Sequence, residues 1–330
     1  MTHVVGGPFF EDLRVGDVFD SAPALTLTEG LAAAHRAIVG DRLRLALDSG
    51  LSRRVLGDAI IHPAVVWDVA IGQSTLVTQR VIANLFYRRF LFLRAPCLGD
   101  TLYTTSEVAA LRQNRPRPGR AGSGLAVLRM RTTDQESRPV LDFWRCAMLP
   151  LRDPETHTGH EANLDEIPIG LEPEALRATT AGWRLDAFRS AVPGPHFADL
   201  EPGTVWEVAG GDVVSSAPEL ARLTLNLAMA HHDARTSTTG RLVYGGHTIG
   251  LAAAQLTRAL PNLVTIVAWH GCDHLGPVRE GDTLRSIVEL ERAEPMVGGG
   301  GLVHLRSRVR ADREGGPQDV LDWRLIGVMG

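Results

Sequence analysis

The sequence predicts an α+β chain made of two copies of one unit, each a helix joined to an antiparallel sheet. Three observations predict this. Motifs recur in the same order in both halves, each half has a helical stretch followed by β-branched and aromatic runs, and the segment between the halves differs in composition. Phe9–Val18 is matched by His196–Val205, Gly99–Leu102 by Gly281–Leu284, and Val140–Arg145 by Val320–Arg324, with an offset that drifts only from 187 to 180 residues. Short loop differences produce such a drift.

Within the second copy, Gly246 to Leu260 carries Ala252, Ala253, Ala254, Gln255 and Leu256 and stops at Pro261, the pattern of a helix with a proline terminator. Its counterpart begins near Pro63. Strand-like runs such as Leu91-Phe92-Leu93, Leu125-Ala126-Val127-Leu128 and Leu263-Val264-Thr265-Ile266-Val267 follow, separated by turn clusters including Gly298 to Gly301. The expected division is a first domain over 1–152, a linker rich in Pro, Glu, Thr and Gly over 153–194, and a second domain over 195–330.

Composition narrows the function. The 330 residues are 44% hydrophobic and 22% charged, as in ordinary globular proteins. A net charge of -4, from 38 acids and 34 bases, argues against a nucleic-acid partner. Every basic residue is Arg, and the absence of Lys excludes Schiff-base and pyridoxal-phosphate chemistry and a Walker A phosphate loop. Cys97, Cys146 and Cys272 form no CxxC pair, which points to a reducing cytoplasm. Neither a signal peptide nor a membrane span is expected, because polar residues interrupt every apolar run.

The chemistry concentrates in the second copy. There Asn226, His231 and Asp233 stand in an N-x4-H-x-D spacing, and the matching stretch of the first copy reads Asp41, Ala46, Asp48. Residues that keep a fold recur in both copies, whereas a catalytic residue need survive only once. His231, with Ala46 opposite it, is therefore the candidate proton carrier, since imidazole exchanges protons near neutrality. The competing reading is a buried, hydrogen-bonded histidine in a helical turn.

These residues resemble the MaoC-like hydratases and dehydratases, the (R)-specific enoyl-CoA hydratases, in their double hot-dog form. Asp41, Asn226, His231, Asp233, Gly246, Gly99-Asp100 and Gly281-Asp282 fall on the family's motif positions. The resemblance covers nearly the whole chain apart from the linker. It implies two hot-dog domains, the first with a degenerate site, and reversible addition of water across an α,β-unsaturated acyl-CoA thioester. The stretches Ile82–Leu85, Gly99–Ser106, Leu111–Asn114 and Leu242–His247 imply a short, branched acyl group of the mesaconyl-CoA kind. Asn226 would orient the water, His231 would move its proton, and Gly245, Gly246, His247 and Asp233 would hold the substrate. No cofactor is implied beyond the CoA of the substrate, and the chain is expected as a homodimer or a pseudo-dimeric monomer. Two positions depart from the family: Asn226 replaces an Asp, and Gly245 replaces a His.

Other readings remain. Loss of the acid at Asn226 suits a non-catalytic acyl-thioester binding protein, and an acyl-carrier-protein substrate is an alternative to CoA. Simple strand alternation would put His270, Cys272 and His274 on one face, a candidate metal site against which their tight spacing argues. The run Arg115 to Arg120 reads as a solvated hairpin loop, with CoA phosphate binding as the alternative.

Overall fold

The computed structural model describes all residues except 1, 4, 120 and 237–239. Its first half contains β1 (Val18–Phe19), β2 (Leu25–Thr26), α1 (Glu29–Val39), α2 (Arg44–Leu47), α3 (Ser49–Leu56), α4 (Pro63–Gln73), β3 (Ala83–Phe92), β4 (Thr101–Gln113), β5 (Ser123–Thr133) and β6 (Pro139–Pro150). Helices α5 (Pro173–Thr179) and α6 (Leu185–Ala191) follow. The second half contains β7 (Val205–Glu207), β8 (Asp212–Val213), α7 (Ala217–Leu223), α8 (Gly245–Ala259), β9 (Leu263–His274), β10 (Thr283–Pro295), β11 (Gly301–Asp312) and β12 (Gln318–Met329).

The strands form one antiparallel sheet in the order β1-β4-β5-β6-β3-β9-β12-β11-β10-β7, with β2 and β8 as short additions on β4 and β10. The halves meet where β3 pairs with β9, with Phe86 opposite Asp273 and Leu91 opposite Ala268. This arrangement is the double hot-dog. Each half wraps its sheet around one helix, and the two helices touch. Every residue of α4 is buried, as is Gly246 to Thr257 of α8. A helix enclosed on all sides reads as apolar all round rather than striped, which is why α4 (PAVVWDVAIGQ) has no polar face. Where the halves meet, Trp269 stacks on Phe90 with centroids 3.8 Å apart and meets Trp67 of α4 at 4.9 Å.

The Gly-Asp-Thr-Leu repeat has a turn as its physical cause. Gly99 and Gly281 sit at φ 92° and 90°, where a side chain would be strained. Asp100 and Asp282 accept the backbone N–H of Cys97 and Arg279 at 2.8 and 2.9 Å.

The segment 153–194 connects the halves but packs as it goes. Leu176, Leu185, Phe188 and Val192 are buried with Leu91, Val264, Val267, Leu302, Ile326 and Val328, on a side of the sheet away from α4 and α8. Its polar composition reflects short helices with one side against the sheet and one in water. The run from Arg115 lies in the β4–β5 hairpin loop as expected, with Arg120 outside the described residues. Among the described residues no helix is long and apolar enough to cross a membrane.

Candidate active site

The site begins where α7 ends. Leu225 takes a left-handed conformation (φ 61°), and the N–H of Asn226 reaches back to the carbonyl of Ala221 at 2.9 Å. The chain thus leaves the helix in a Schellman-type turn, with leucine where glycine is usual. The first half has Gly40 at this position, at φ 75°. Asn226 is 2% exposed, and its Oδ1 accepts the N–H of Ala228 at 3.0 Å. Asp41 does the same for Leu43 at 2.7 Å. The recurring acid-or-amide position therefore has a fold role in both halves. What distinguishes Asn226 is its amide nitrogen, which meets no acceptor among the described residues.

The loop that follows docks on the other half. Leu227 N–H donates to Thr75 Oγ1 at 2.8 Å, and Met229 N–H donates to the carbonyl of Gln79 at 2.8 Å. Gly72 permits this approach, since a Cβ there would lie 1.7 Å from the carbonyl oxygen of Thr224. His231 then falls in a 3-10 turn (Met229–His231), 7% exposed. Its Nδ1 lies 2.9 Å from the carbonyl oxygen of Leu242. A carbonyl only accepts, so Nδ1 carries the proton and Nε2 keeps a lone pair. Burial, the largest cause, lowers the His231 pKa to about 4, with His232 and Arg145 contributing and the Leu242 bond opposing.

Beside His231, with ring centroids 5.7 Å apart, stands Tyr244, the residue that caps α8. Gly245 and Gly246 open the helix, where the first N–H groups have no intrahelical partner. Both glycines are required by space: a Cβ on Gly245 would lie 2.7 Å from the His274 ring, and one on Gly246 would lie 2.0 Å from Asp68 Oδ1. Asp68 is fully buried in the middle of α4, accepting from Tyr244 Oη at 3.0 Å through Oδ1 and pairing with His35 Nε2 at 2.9 Å through Oδ2. Burial pushes its carboxyl pKa upward, against the pull of those two partners.

The structure thus brings His231 to Gly245 and Gly246 through Tyr244, with Asn226 at the start of the loop that carries the histidine. His247 lies beyond them in α8, fully buried, with no partner for either ring nitrogen among the described residues and a pKa lowered by burial to about 4. Asp233 is turned outward and is clasped by Arg235, with contacts of 2.8 to 3.2 Å, which holds its carboxyl down at about 2. That ion pair, on a partly exposed turn, leaves Asp233 outside the group around His231.

The expected common face of His270, Cys272 and His274 is also corrected. Arg324 pairs with Gly271 and Leu325 with Trp269, so His270 is the extra residue of a β-bulge. Trp269 and Cys272 both face the helix-side core, and His274 meets the Tyr87 ring at 5.9 Å. His270 instead stacks on His304 of β11, with Nε2 3.0 Å from Nδ1. The bulge breaks the alternation on which the three-residue site depended.

A cleft of about 770 Å³ opens at the first half's counterpart of the His231 loop, lined by Asp41, Arg42, Arg44, Asp48 and Arg258 among others. No histidine lines it. Sequence reasoning missed Asp68, Tyr244, His35 and Arg145. A signal for Asp68 was present, since it is the single charged residue in an apolar helix.

Comparison with known proteins places these features in context. No family model matches the chain. It is 30% identical to the mesaconyl-CoA hydratase of Cereibacter sphaeroides over 91% of this chain and 88% of that one. It is 28% identical to the β-methylmalyl-CoA dehydratase of Chloroflexus aurantiacus over 93% and 89% of the two chains. Among solved structures, Rv0216 of Mycobacterium tuberculosis, described as a double hot-dog protein essential for bacterial survival during infection, is 52% identical. It covers 99% of this chain and 100% of its own, with a TM-score of 0.92. A MaoC domain protein dehydratase from Chloroflexus aurantiacus superposes with a TM-score of 0.87 at 26% identity, over 100% and 99% of the chains.

Proposed function

Because the chain belongs to the MaoC-like hydratases and dehydratases and is a hydro-lyase of acyl-CoA thioesters, we propose that it reversibly hydrates a short, branched enoyl-CoA of the mesaconyl-CoA kind through His231. The observation that carries this reading is the 2.9 Å contact of His231 Nδ1 with the carbonyl oxygen of Leu242. That Nδ1–H is committed to Leu242, so Nε2 is the base.

In this reading Asn226 Nδ2 donates to a water, and that water gives a proton to His231 Nε2 while its oxygen bonds to the β-carbon. The double-bond electrons move onto the thioester carbonyl as an enolate. The N–H groups at Gly245 and Gly246, unpaired among the described residues and at the positive end of the α8 dipole, stabilise that oxygen. The imidazolium then returns its proton to the α-carbon. A pKa of about 4 makes His231 a modest base and a strong acid, which suits the return of the proton to carbon. Base, acid and dipole all come from the chain, so the reaction calls for no cofactor. Three free thiols suit a reducing cytoplasm.

The test is loss of enoyl-thioester absorbance with a panel of enoyl-CoAs, for the parent and for His231→Ala. Turnover that disappears in the variant supports the reading. A folded parent that binds acyl-CoA but turns over no member of the panel would make the protein an acyl-thioester binder instead.

A further inference from the structure

Arg145 of β6 is 3% exposed, and among the described residues no carboxylate lies within ion-pair distance of it. Its guanidinium donates to the hydroxyls of Ser74 and Thr78, at 2.5 and 3.0 Å, and its Nε has no partner. A buried cation held only by neutral hydroxyls is costly to a fold. Burial accordingly weakens its hold on its proton. It lies near the proposed active site: Ser74 and Thr78 adjoin Thr75 and Gln79, which hold the loop that carries His231, and across the ladder Arg145 pairs with Tyr87, whose ring meets His274 at 5.9 Å.

The second half shows that the fold does not need it. Arg145 pairs with Leu128 on one side and Tyr87 on the other, three residues after Asp142. The residue in the same register after Asp322 is Leu325, which pairs with Leu305 and Trp269. The apparent match of Arg145 with Arg324 in the sequence is therefore off by one in the sheet. The helix partners are aligned by Gln73 and Gln255, whose Nε2 atoms donate to Leu102 and Leu284 carbonyls, both at 2.8 Å. From that alignment the counterparts of Ser74 and Thr78 are Leu256 and Leu260. All three counterparts are buried leucines. One half has an apolar trio where the other has an arginine cradled by two hydroxyls, the same asymmetry that singles out His231 against Ala46.

We propose that Arg145 binds the free carboxylate at the far end of the acyl group, the feature that sets a mesaconyl-CoA-like substrate apart from a monocarboxylic enoyl-CoA. A planar guanidinium with an unused N–H edge meets a carboxylate in two parallel hydrogen bonds, and that pairing compensates the charge the fold leaves bare. Arg145 is then the specificity-determining residue of the site. The inference rests on the hydratase reading for the double bond, but its binding part can be tested without turnover.

The experiment is calorimetric titration of the parent, Arg145→Leu and Arg145→Lys with succinyl-CoA and butyryl-CoA, whose acyl chains are equally long and lack the reacting double bond. Arg145→Leu is expected to weaken succinyl-CoA about a hundredfold and to leave butyryl-CoA within about threefold. The leucine matches the other half, and the unfolding midpoint is expected to hold or rise. Should that variant not fold, Arg145→Lys, which keeps the charge without the fork, is expected to weaken succinyl-CoA alone. Equal weakening of both ligands, or of neither, overturns the proposal. Rates with mesaconyl-CoA and 2-methylcrotonyl-CoA separate the two readings. A carboxylate preference that depends on Arg145 without any turnover sinks the hydratase reading and keeps this one. Mesaconyl-CoA turnover with an unchanged KM in Arg145→Leu does the reverse.

Discussion

Tyr244, which caps α8 of the second half, donates its phenolic hydrogen at 3.0 Å to Asp68, in the middle of α4 of the first half. The bond is not repeated by symmetry. Tyr244 corresponds to His62, which instead lies 3.2 Å from Asp41, and Asp68 corresponds to Gly250. The helix N-terminus of one half is thus tied to a carboxylate of the other, and the candidate site draws on both halves.

Tyr244→Phe tests this link. It leaves one oxygen of a buried carboxylate without its donor, at a cost of about 1–3 kcal/mol. A fall in the urea midpoint of that size is expected, with a lower kcat because Tyr244 packs on His231. An unchanged midpoint would mean the bond is not formed in solution.

His231→Ala is expected to lower kcat by 10²–10⁴, the usual range for a general acid–base group, with the fold intact by circular dichroism. A loss under about tenfold argues against the assignment. Asp41→Ala, in the half that lacks the histidine, is expected to leave the chemical step unchanged.

Asn226 separates a fold role from a chemical one. Asn226→Ala removes the bond to the Ala228 N–H and is expected to cost about 1 kcal/mol as well as kcat. Asn226→Asp keeps that bond through a carboxylate oxygen and restores a second proton carrier, so activity is expected to hold or rise. Turnover unaffected by the alanine would place the water elsewhere.

Gly246→Ala puts a methyl group 2.0 Å from Asp68 Oδ1 and 2.4 Å from the Tyr244 ring. Overpacking of this kind costs about 1–3 kcal/mol. The expected result is a folded protein with a displaced α8 N-terminus and little activity. Full activity in the variant would show that the helix start tolerates movement.

The pH dependence follows from the histidines. His231, His247 and His274 are held to about 4 by burial, below the ordinary value of 6.5. Between those values the unfolded chain binds protons that the native chain does not, so stability is full above pH 6.5 and is lost as pH falls toward 4. Midpoints measured from pH 7 to pH 4.5 are expected to fall steadily. Activity, which needs neutral His231, is expected to stay level down to about pH 5 while the protein remains folded. A rate that halves near pH 6.5 would mean His231 is hydrated rather than buried.

The sequence by itself determined the two-copy architecture and the helix starts near Pro63 and Gly246, and it singled out His231 as the candidate proton carrier. Those signals are local or repetitive: a proline at the first helical position, a Gly-Asp turn used twice, a histidine with an alanine opposite it. Composition alone did not show that the connecting segment 153–194 packs on the sheet, because a helix with one face on the sheet is half polar. Alternation misled at β9, because a single bulge residue reverses the faces of everything before it. Tertiary structure alone decided that Asp68 meets Tyr244 and that Arg145 stands in the register of Leu325. A contact between residues 176 positions apart leaves no trace in local spacing, and a one-residue shift in a sheet changes which side chains are neighbours. The two halves share a fold because the same apolar faces must be buried twice. They differ in chemistry because a polar group tolerated at their junction is needed on only one side of it.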